Sequence, residues 1–439
     1  MPASLALIRR SCLLVTFIVG GLAFTAQAQE PIFTFNGGAD GGSPMAGVIY
    51  RDGSLYGTTL YGGSLNCPGG CGVVYKLSQH GPSWVLSRLY TFQGGADGAN
   101  PWARVIFGPD GTLYGTTIYG GNGYGTVFRL QPPAHACASV SCPWIKTTLY
   151  SFESVPDGAY PSFGDLLFDQ AGNIYGMTSF GGSDACQAGL GCGMVYELTP
   201  ANGGWQESVL YSFHQPGNTD GAVPDAGLVF DQAGNLYGTT SYGGTFGGSE
   251  CSHVTDINGC GVVFELTPTN GGWTESVLHN FTGGSDGGSP SGTLLLGPSG
   301  ALYGTTQVGG EELYEGPGTV FSLAPSGGSW SLNTIQTFMG PGNPGASGEL
   351  VASAGGNLFG ATPATLYYHG NTDCMGALFE LVPGGGGGWT YDQLSCFMNV
   401  NNQPYAPAGQ VAMDGDGNIY GTAEGGGFNA GAVWEYSQE

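Results

Sequence analysis

Residues Leu236–Gly244 read LYGTTSYGG, and phrases of the type LYGTT recur seven times along this 439-residue chain. Successive copies start 58, 61, 62, 66, 56 and 61 residues apart. The copies are Leu55–Thr59, Leu113–Thr117, Ile174–Thr178, Leu236–Thr240, Leu302–Thr306, Leu358–Thr362 and Ile419–Ala423. A near-constant period of strand-type sequence indicates one supersecondary unit repeated along the chain. Because repetition explains most conspicuous residues, a functional site is to be sought where the repeats differ.

Each repeat contains four strand-like segments, which we label a to d. In the fourth repeat, Ala226–Asp231 (a) is an apolar run that ends in a QAGN turn before LYGTT (b). A long loop then leads to Val262–Leu266 (c), and a Gly-Gly-Trp element leads to Ser276–Phe281 (d). Short β-branched and aromatic runs bounded by Gly, Asn, Asp and Pro predict strands. The 85 glycines suit many tight turns and disfavour long helices.

The order of the segments predicts how the repeats close. Segments c and d each occur seven times, but the first d segment, Ile32–Phe35, precedes every a segment. The last c segment, Ala432–Tyr436, has no d segment after it. A ring resolves this, because the N-terminal strand then completes the C-terminal blade. The sequence therefore predicts an all-β fold, a seven-bladed β-propeller of four-stranded blades, which leaves only short protected edges.

The N-terminus has the form of a secretory signal peptide. Arg9-Arg10 precede the apolar stretch Ser11–Phe24, and Ala26-Gln27-Ala28 fits a signal-peptidase site. The apolar stretch is too short for a membrane span. We therefore expect residues 1–28 to be removed on export and residues 29–439 to form a single propeller domain, secreted or periplasmic.

The cysteines agree with export. Ten remain besides Cys12, and an even number of near neighbours in an exported chain predicts disulfides. The predicted pairs are Cys67/Cys71, Cys137/Cys142, Cys186/Cys192, Cys251/Cys260 and Cys374/Cys396. A zinc site is the alternative, since His135 and His253 lie near some of them, but no typical zinc-ligand spacing occurs. Three of the pairs fall inside b–c loops, where disulfides would stiffen one face.

Charge limits the classes of partner. Eight Lys and Arg stand against 32 Asp and Glu, and two of the eight, Arg9 and Arg10, lie in the leader. Nucleic acids and anionic membranes require a basic surface, so we expect neither as a partner. An acidic monomer that meets a glycan or an extracellular protein is the expectation.

Three recurring phrases, LYGTT–YGG, G-x-VFEL-x-P and DG-x-x-P, together resemble the GloVer tandem repeat of exported bacterial proteins. The resemblance covers essentially the whole mature chain. It implies a repeat-built extracellular protein, and it brings no established reaction or catalytic residues with it. Members of that family carry varied surface anchors. No anchor is recognisable after the last strand here, which favours free secretion or a periplasmic location.

Five repeats share an Asp-Gly in the connection from strand d to the next strand a. In a propeller these connections emerge on the same face as the b–c loops, so the aspartates are predicted to ring that face. They are Asp40, Asp97, Asp157, Asp220 and Asp286. Clustered carboxylates can coordinate calcium, so structural calcium is a possible exception to the expectation of no cofactor. The alternative is turn chemistry, in which each carboxylate accepts local backbone N–H groups.

One position near the start of the innermost strand differs from repeat to repeat when the repeats are aligned on LYGTT. An innermost strand borders the central channel, so this position is predicted to ring the channel mouth. The ring positions are Gly47, Arg104, Asp165, Gly227, Thr293, Glu349 and Gln410. The five with polar side chains are candidate ligand-binding residues, since Arg104 can clamp a carboxylate or a sugar hydroxyl and Asp165 with Glu349 can act as a carboxylate pair. The alternative is a structural Arg104–Asp165 ion pair between adjacent blades.

Two b–c loops break the repeat pattern with acidic and aromatic residues. The candidates there are Glu311, Glu312 and Tyr314 in the fifth repeat and Tyr367, Tyr368 and His369 in the sixth. Such side chains suit stacking and hydrogen bonding to carbohydrate, and a histidine can act as a base. Variable surface loops without a function are the alternative.

Three hypotheses for function follow. The first is an exported non-catalytic propeller that binds glycan or protein through its loop face and channel mouth. The second is an extracellular carbohydrate-active enzyme, a polysaccharide lyase or glycoside hydrolase, that uses Arg104, Asp165 and Glu349 with His369 or Tyr368. The third, a passive structural envelope protein, needs no site. No catalytic motif stands out in the sequence, and fold alone does not choose among the three.

Overall fold

Seven four-stranded units follow one another along the chain and form the predicted seven-bladed β-propeller. This computed structural model describes residues 30–133, 144–161, 163–182, 186, 189–214, 219–245, 251, 257, 259–310, 318–338, 348–368, 371–398, 403–426 and 429–437. Within 364–368 and 371–373 it describes the backbone alone. The predicted signal peptide lies outside the described residues, as do Cys137 and Cys142.

Each blade contains strands a, b, c and d, paired antiparallel in that order. Blade 1 contains Val48–Arg51, Ser54–Thr59, Val73–His80 and Ser83–Thr91. Blade 2 contains Ile106–Phe107, Leu113–Thr117, Thr126–Gln131 and Ile145–Ser151. Blade 3 contains Leu167–Phe168, Ile174–Thr178, Met194–Ala201 and Gly204–Ser212. Blade 4 contains Val229–Phe230, Leu236–Thr240, Val262–Thr269 and Gly272–Asn280. Blade 5 contains Leu295–Leu296, Leu302–Val308, Thr319–Ser326 and Ser329–Thr337. Blade 6 contains Val351–Ala352, Leu358–Tyr368, Asn371–Pro383 and Trp389–Cys396. Blade 7 contains Tyr405–Met413, Ile419–Gly425, Ala432–Tyr436 and Glu30–Thr34. Additional short elements are Gly158–Ala159, Phe180–Gly181, Gly288–Pro290 and the 3-10 turn Gly95–Asp97.

The predicted ring closure is confirmed. The N-terminal strand Glu30–Thr34 pairs antiparallel with Ala432–Tyr436 as strand d of blade 7. Phe35 follows it, is fully buried, and donates its N–H to the Gly431 carbonyl at 3.0 Å. The two ends of the described chain therefore share one hydrophobic blade.

In blades 2 to 6 strand a is shorter than the sequence pattern predicts. In blade 4 the pattern predicts Ala226–Asp231, whereas Val229–Phe230 alone pair with strand b. The preceding residue Gly227 turns to the neighbouring blade and donates its N–H to the Thr293 hydroxyl at 2.8 Å. Contact between blades near the axis thus replaces the ladder hydrogen bonds at the start of this strand.

One recurring junction explains the glycine that precedes strand c. In blade 4, Gly261 has φ +87°, and a Cβ there would lie 2.1 Å from the Thr240 carbonyl oxygen and 2.8 Å from Pro290 of the next blade. The Gly261 carbonyl accepts the N–H of Phe281 at the end of strand d, at 3.0 Å. The equivalent glycines are Gly72, Gly125, Gly193, Gly318, Gly376 and Gly431. These positions need glycine because both the backbone conformation and the available space exclude a side chain.

The recurring aromatic residues pack between blades. Tyr56 of blade 1 meets Phe107 of blade 2 edge-on, with ring centroids 5.0 Å apart. Trp84 of blade 1 meets Tyr420 of blade 7 at 5.8 Å. Such edge-on pairs add to the stability that burial alone gives.

Four of the predicted disulfides lie within the described residues and are formed. They are Cys67–Cys71, Cys186–Cys192, Cys251–Cys260 and Cys374–Cys396. The first three lie within b–c loops and the last joins strands c and d of blade 6. The disulfides therefore brace the loop face, as the cysteine spacing predicts.

Candidate functional site

The inner ends of the seven blades meet at the propeller axis through small residues. A Cβ on Gly409 would lie 2.1 Å from the carbonyl carbon of Ala46, and one on Gly164 would lie 2.1 Å from the Ala226 carbonyl oxygen. Each ring position is preceded by Ala or Gly, namely Ala46, Ala103, Gly164, Ala226, Gly292, Gly348 and Gly409. Close backbone contact therefore holds the side chains at the ring positions within reach of one another.

Arg104 connects three blades across the channel mouth. Its Nε donates to Asp165 Oδ2 at 2.9 Å, and its Nη2 donates to the same oxygen. Nη2 also lies 3.4 Å from Glu349 Oε2. Asp165 belongs to the adjacent blade 3, whereas Glu349 belongs to blade 6, which is not a neighbour of blade 2. The guanidinium therefore reaches across the axis.

Thr293 extends this network to two more blades. Its hydroxyl donates to Glu349 Oε1 at 2.5 Å and accepts the Gly227 N–H at 2.8 Å. Gly47 and Gln410 meet separately, through their backbones, as a parallel bridge. The structure therefore joins Arg104, Asp165, Thr293 and Glu349 through their side chains. Gln410, the fifth polar candidate at the mouth, joins the ring through its backbone.

Burial and the neighbouring charges have opposite effects on the pKa values of Arg104 and Glu349 in this network. Burial lowers the pKa of Arg104, but the charges of Asp165 and Glu349 outweigh it, so that this pKa is raised and the guanidinium stays charged. Burial raises the pKa of Glu349, and the Arg104 charge offsets only part of that rise. The Arg104, Asp165 and Glu349 side chains are 11%, 14% and 13% exposed. The mouth is therefore closed by a mostly buried ion-pair network, and a ligand carboxylate would have to displace one of its acids.

The five Asp-Gly aspartates each close their own turn. Asp97 accepts the N–H of Gln93 at 2.8 Å, four residues earlier, and Asp286 accepts that of Thr282 at 3.0 Å. The remaining backbone donors are Asn36 to Asp40, Glu153 to Asp157 and His214 to Asp220. Across the described residues, no three His, Cys, Asp or Glu side chains are placed to hold a metal ion. The geometry is that of the turn-chemistry alternative.

The loop candidates of blades 5 and 6 cannot be placed in a site. Glu311, Glu312, Tyr314 and His369 lie outside the described residues. Tyr367 and Tyr368 end strand b of blade 6, where the backbone alone is described. Their part in carbohydrate binding stays a prediction from the sequence.

A group of aromatic side chains on the loop side of blades 2 and 3 was not predicted. Trp102 and Phe163 meet edge-on with ring centroids 4.7 Å apart. Tyr119 and Tyr160, in the neighbouring loops of the same blades, meet at 5.8 Å. Phe163 is 43% exposed and Tyr119 is 51% exposed. We call Trp102, Tyr119, Tyr160 and Phe163 the aromatic patch.

Asp225 lies next to the aromatic patch. Its carboxylate accepts the Ser179 hydroxyl at 2.6 Å and the Ser241 hydroxyl at 3.3 Å. The Ser179 N–H donates to the carbonyl of Tyr160 at 3.2 Å, which links this carboxyl group to the patch. Burial raises the pKa of Asp225 to about 6, against the effect of the two serine hydroxyls, which lower it. The carboxyl group is thus poised to change charge in mildly acidic solution.

The repeats carry information that points to this region. The position two residues before each ring position holds Met45, Trp102, Phe163, Asp225 and Ser291 in the first five repeats. These residue types differ as much as those of the ring itself. Comparing the repeats at this position, and not at the ring alone, would have identified Trp102, Phe163 and Asp225.

Comparison with protein families decides which family the chain represents. The sequence profile of the Gloeobacter/Verrucomicrobia repeat matches residues 20–251 and 251–439. The chain belongs to this repeat family. The resemblance carried by the repeated phrases is thereby confirmed. A comparison with curated proteins found no match.

Solved structures of similar fold include two of a polysaccharide lyase. An ulvan lyase bound to a GlcA–Rha3S saccharide is 13% identical, with a TM-score of 0.55 over 93% of this chain and 95% of the lyase chain. A second structure of ulvan lyase is 12% identical, with a TM-score of 0.54 over 94% of each chain. At such identities the likeness shows the propeller fold alone.

Within the described residues, no helix is long and apolar enough to cross a membrane.

Proposed function

We propose that this chain is an exported, non-catalytic propeller that binds saccharide on the loop side of blades 2 to 4. The observation that carries the proposal is the aromatic patch, in which Phe163 and Tyr119 are about half exposed. Sugar rings pack their apolar faces on aromatic side chains, while nearby polar groups hydrogen-bond the hydroxyls. Asp225 supplies such a polar group next to the patch. The exported repeat family and the four disulfides found within the described residues support an extracellular setting.

Charge favours an uncharged saccharide as the ligand. The chain has a formal net charge of −24, which repels polyanions. Arg104, two residues from Trp102 in the sequence, is already paired with two carboxylates. GlcA and Rha3S, the sugars bound by the ulvan lyase of similar fold, carry a carboxylate and a sulfate. An acidic site with an occupied arginine suits neutral sugars better than these.

A carbohydrate-active enzyme is the second candidate, and one observation favours it. The pKa of the buried Glu349 is raised, which suits a general acid. A glycoside hydrolase also needs a second carboxylate that is free to act, and Arg104 holds Asp165 at 2.9 Å. A lyase that clamps a sugar carboxylate would need Arg104 itself to be free. The geometry therefore supports a structural role for Arg104, Asp165, Thr293 and Glu349 better than a catalytic one.

Native affinity electrophoresis in gels that contain soluble neutral polysaccharides tests the proposal. We expect at least one of them to retard the chain, and Phe163→Ala to weaken that retardation about tenfold, since aromatic contacts contribute on the order of 1 kcal/mol beyond burial. Val85→Ala is the matched control, because Val85 is an apolar side chain of similar exposure, 45%, on strand d of blade 1.

The same gels distinguish the alternatives. Each polymer is sized after incubation with the chain. A shortened polymer would replace the binding proposal with the enzyme. Retardation by none of the neutral polysaccharides, or equal retardation of Phe163→Ala and wild type, would contradict the proposal.

A further inference from the structure

One position of strand d differs in charge between blades that are otherwise alike. In blades 1 to 5 this residue pairs with the leucine of strand c, and the paired residues are Leu86, Lys146, Glu207, Glu275 and Leu332. In blades 2 to 4 its side chain faces the Asp-Gly aspartate that closes the preceding turn. The position therefore decides the charge balance of a partly buried carboxylate.

In blade 2 this position completes an ion pair. Lys146 Nζ lies 3.2 Å from Asp97 Oδ1, and the lysine side chain is 4% exposed. The Tyr90 hydroxyl donates to the same oxygen at 2.7 Å, and the Gln93 N–H donates to Oδ2 at 2.8 Å. One carboxylate is thus balanced by one buried cation.

In blades 3 and 4 a second carboxyl group takes the place of the lysine. Glu207 and Glu275 hold the register position of Lys146, and their carboxyl groups are close enough to Asp157 and Asp220 for charge repulsion. Glu207 Oε1, Glu275 Oε1 and Asp220 Oδ1 are buried atoms without a hydrogen-bond partner. Two facing carboxylates with buried, unpartnered oxygens are unfavourable unless a positive charge or a proton joins them.

Among the described residues, the groups around each pair supply little positive charge. Tyr150, Tyr196 and Glu153 face the pair of blade 3, and none of them is a cation. Tyr211 and His214 face the pair of blade 4. The His214 ring nitrogen lies 3.4 Å from Asp220 Oδ2, but its side chain is 56% exposed and meets the oxygen that already accepts the Tyr211 hydroxyl.

We propose that the pair Asp157 and Glu207 and the pair Asp220 and Glu275 each bind one proton in solution near neutral pH. In blade 2, Lys146 instead supplies a fixed positive charge to the equivalent aspartate, Asp97. The proton neutralises one of two partly buried carboxylates and so removes the repulsion between them. This inference concerns the seams between blades 2, 3 and 4 and does not depend on saccharide binding.

The stability of the propeller should consequently fall as the pH rises. Burial first, and then the facing aspartate, raise the pKa of Glu207 and of Glu275 from 4.5 to about 7. A carboxyl group with a raised pKa in the folded state binds its proton more tightly there than in the unfolded chain. Its contribution to the free energy of unfolding is therefore fully present below about pH 4.5 and is lost as the pH rises to about 7.

Thermal unfolding between about pH 4.5 and pH 8.5 tests the proposal on the full mature chain. We expect the wild-type Tm to fall over this range and the double variant Glu207→Gln/Glu275→Gln to lose most of that fall, because an amide needs no added proton. Glu207→Lys/Glu275→Lys should raise the Tm at the alkaline end above that of wild type by copying Lys146. Asp392→Asn, which removes an exposed carboxylate from strand d of blade 6, is the matched control and should keep the wild-type profile.

Infrared spectroscopy near pH 6 gives a direct readout that does not depend on a folded variant. A protonated-carboxyl band should be present in wild type and should lose intensity as the pH is raised to about 8. Absence of that band, or the same pH profile of Tm for wild type and a folded glutamine variant, would overturn the proposal. A Tm at the alkaline end that calcium raises and a chelator lowers again would overturn it in favour of a metal ion.

Discussion

At the residue scale, Arg104 determines how the channel mouth closes. Its guanidinium pairs with carboxylates from blades 3 and 6 while its side chain is 11% exposed. Removing one partner of a buried ion pair is costly because the remaining charges stay buried without compensation. Here the loss would leave Asp165 and Glu349 facing each other near the axis.

Arg104→Met should therefore lower the free energy of unfolding by about 3 kcal/mol, a typical cost for breaking a buried pair. Arg88→Met changes an exposed arginine on strand d of blade 1 and serves as the control, with an expected change below about 0.5 kcal/mol. Denaturant unfolding near neutral pH measures both variants. Equal stability of the two would show that the network does not hold the blades together.

The residues of the site differ in how far the sequence predicts them. Arg104 and Asp165 occupy equivalent positions in adjacent blades, so their ion pair is one of the alternatives that the aligned repeats predict. The contact with Glu349 crosses the axis, and its formation depends on a channel width that no repeat period specifies. Asp225 and Glu275 are buried by packing between neighbouring blades, which a comparison of residues at the ring positions does not include.

At the element scale, the junction before strand c is the repeating device that joins blades. Gly261 has φ +87°, packs against the Thr240 carbonyl, and accepts the N–H of Phe281. The phrase G-x-VFEL and the phenylalanine that ends strand d are thus two halves of one contact. Strand b was predicted accurately because every copy of LYGTT lies in a strand, whereas strand a of blade 4 was predicted too long because its first residues contact the neighbouring blade.

Gly261→Ala should destabilise the propeller more than Gly234→Ala. Both glycines have positive φ, +87° and +88°, so each alanine incurs a backbone cost of about 1–2 kcal/mol. A Cβ at position 234 meets nothing within 4 Å, whereas one at position 261 would lie 2.1 Å from the Thr240 oxygen. The expected difference in free energy of unfolding is about 2 kcal/mol. If chemical denaturation gives the same value for both variants, the junction tolerates a side chain and its proposed role is wrong.

At the scale of the whole molecule, seven repeated units and a displaced first strand were sufficient to predict the ring. The N-terminal strand Glu30–Thr34 pairs with Ala432–Tyr436 as the count of strands requires. Function is less accessible to the same reasoning, because the aromatic patch is assembled from blades 2 and 3, and the contacting pair Trp102 and Phe163 lies about 60 positions apart in the sequence. The residues that recur in every repeat specify the propeller fold, whereas the proposed binding site is formed by residues that differ between the repeats.

The most direct test of the account is a crystal structure of the mature chain with a neutral oligosaccharide taken from a polymer that retards it. The account predicts a sugar ring packed on Trp102 and Phe163, hydroxyl groups directed toward Asp225, and an intact Arg104–Asp165–Glu349 network beneath it. A sugar bound at the channel mouth, with Arg104 separated from Asp165 and Glu349 and turned toward the ligand, would contradict the account and would favour the carbohydrate-active enzyme. A sugar bound away from blades 2 to 4 would contradict the site.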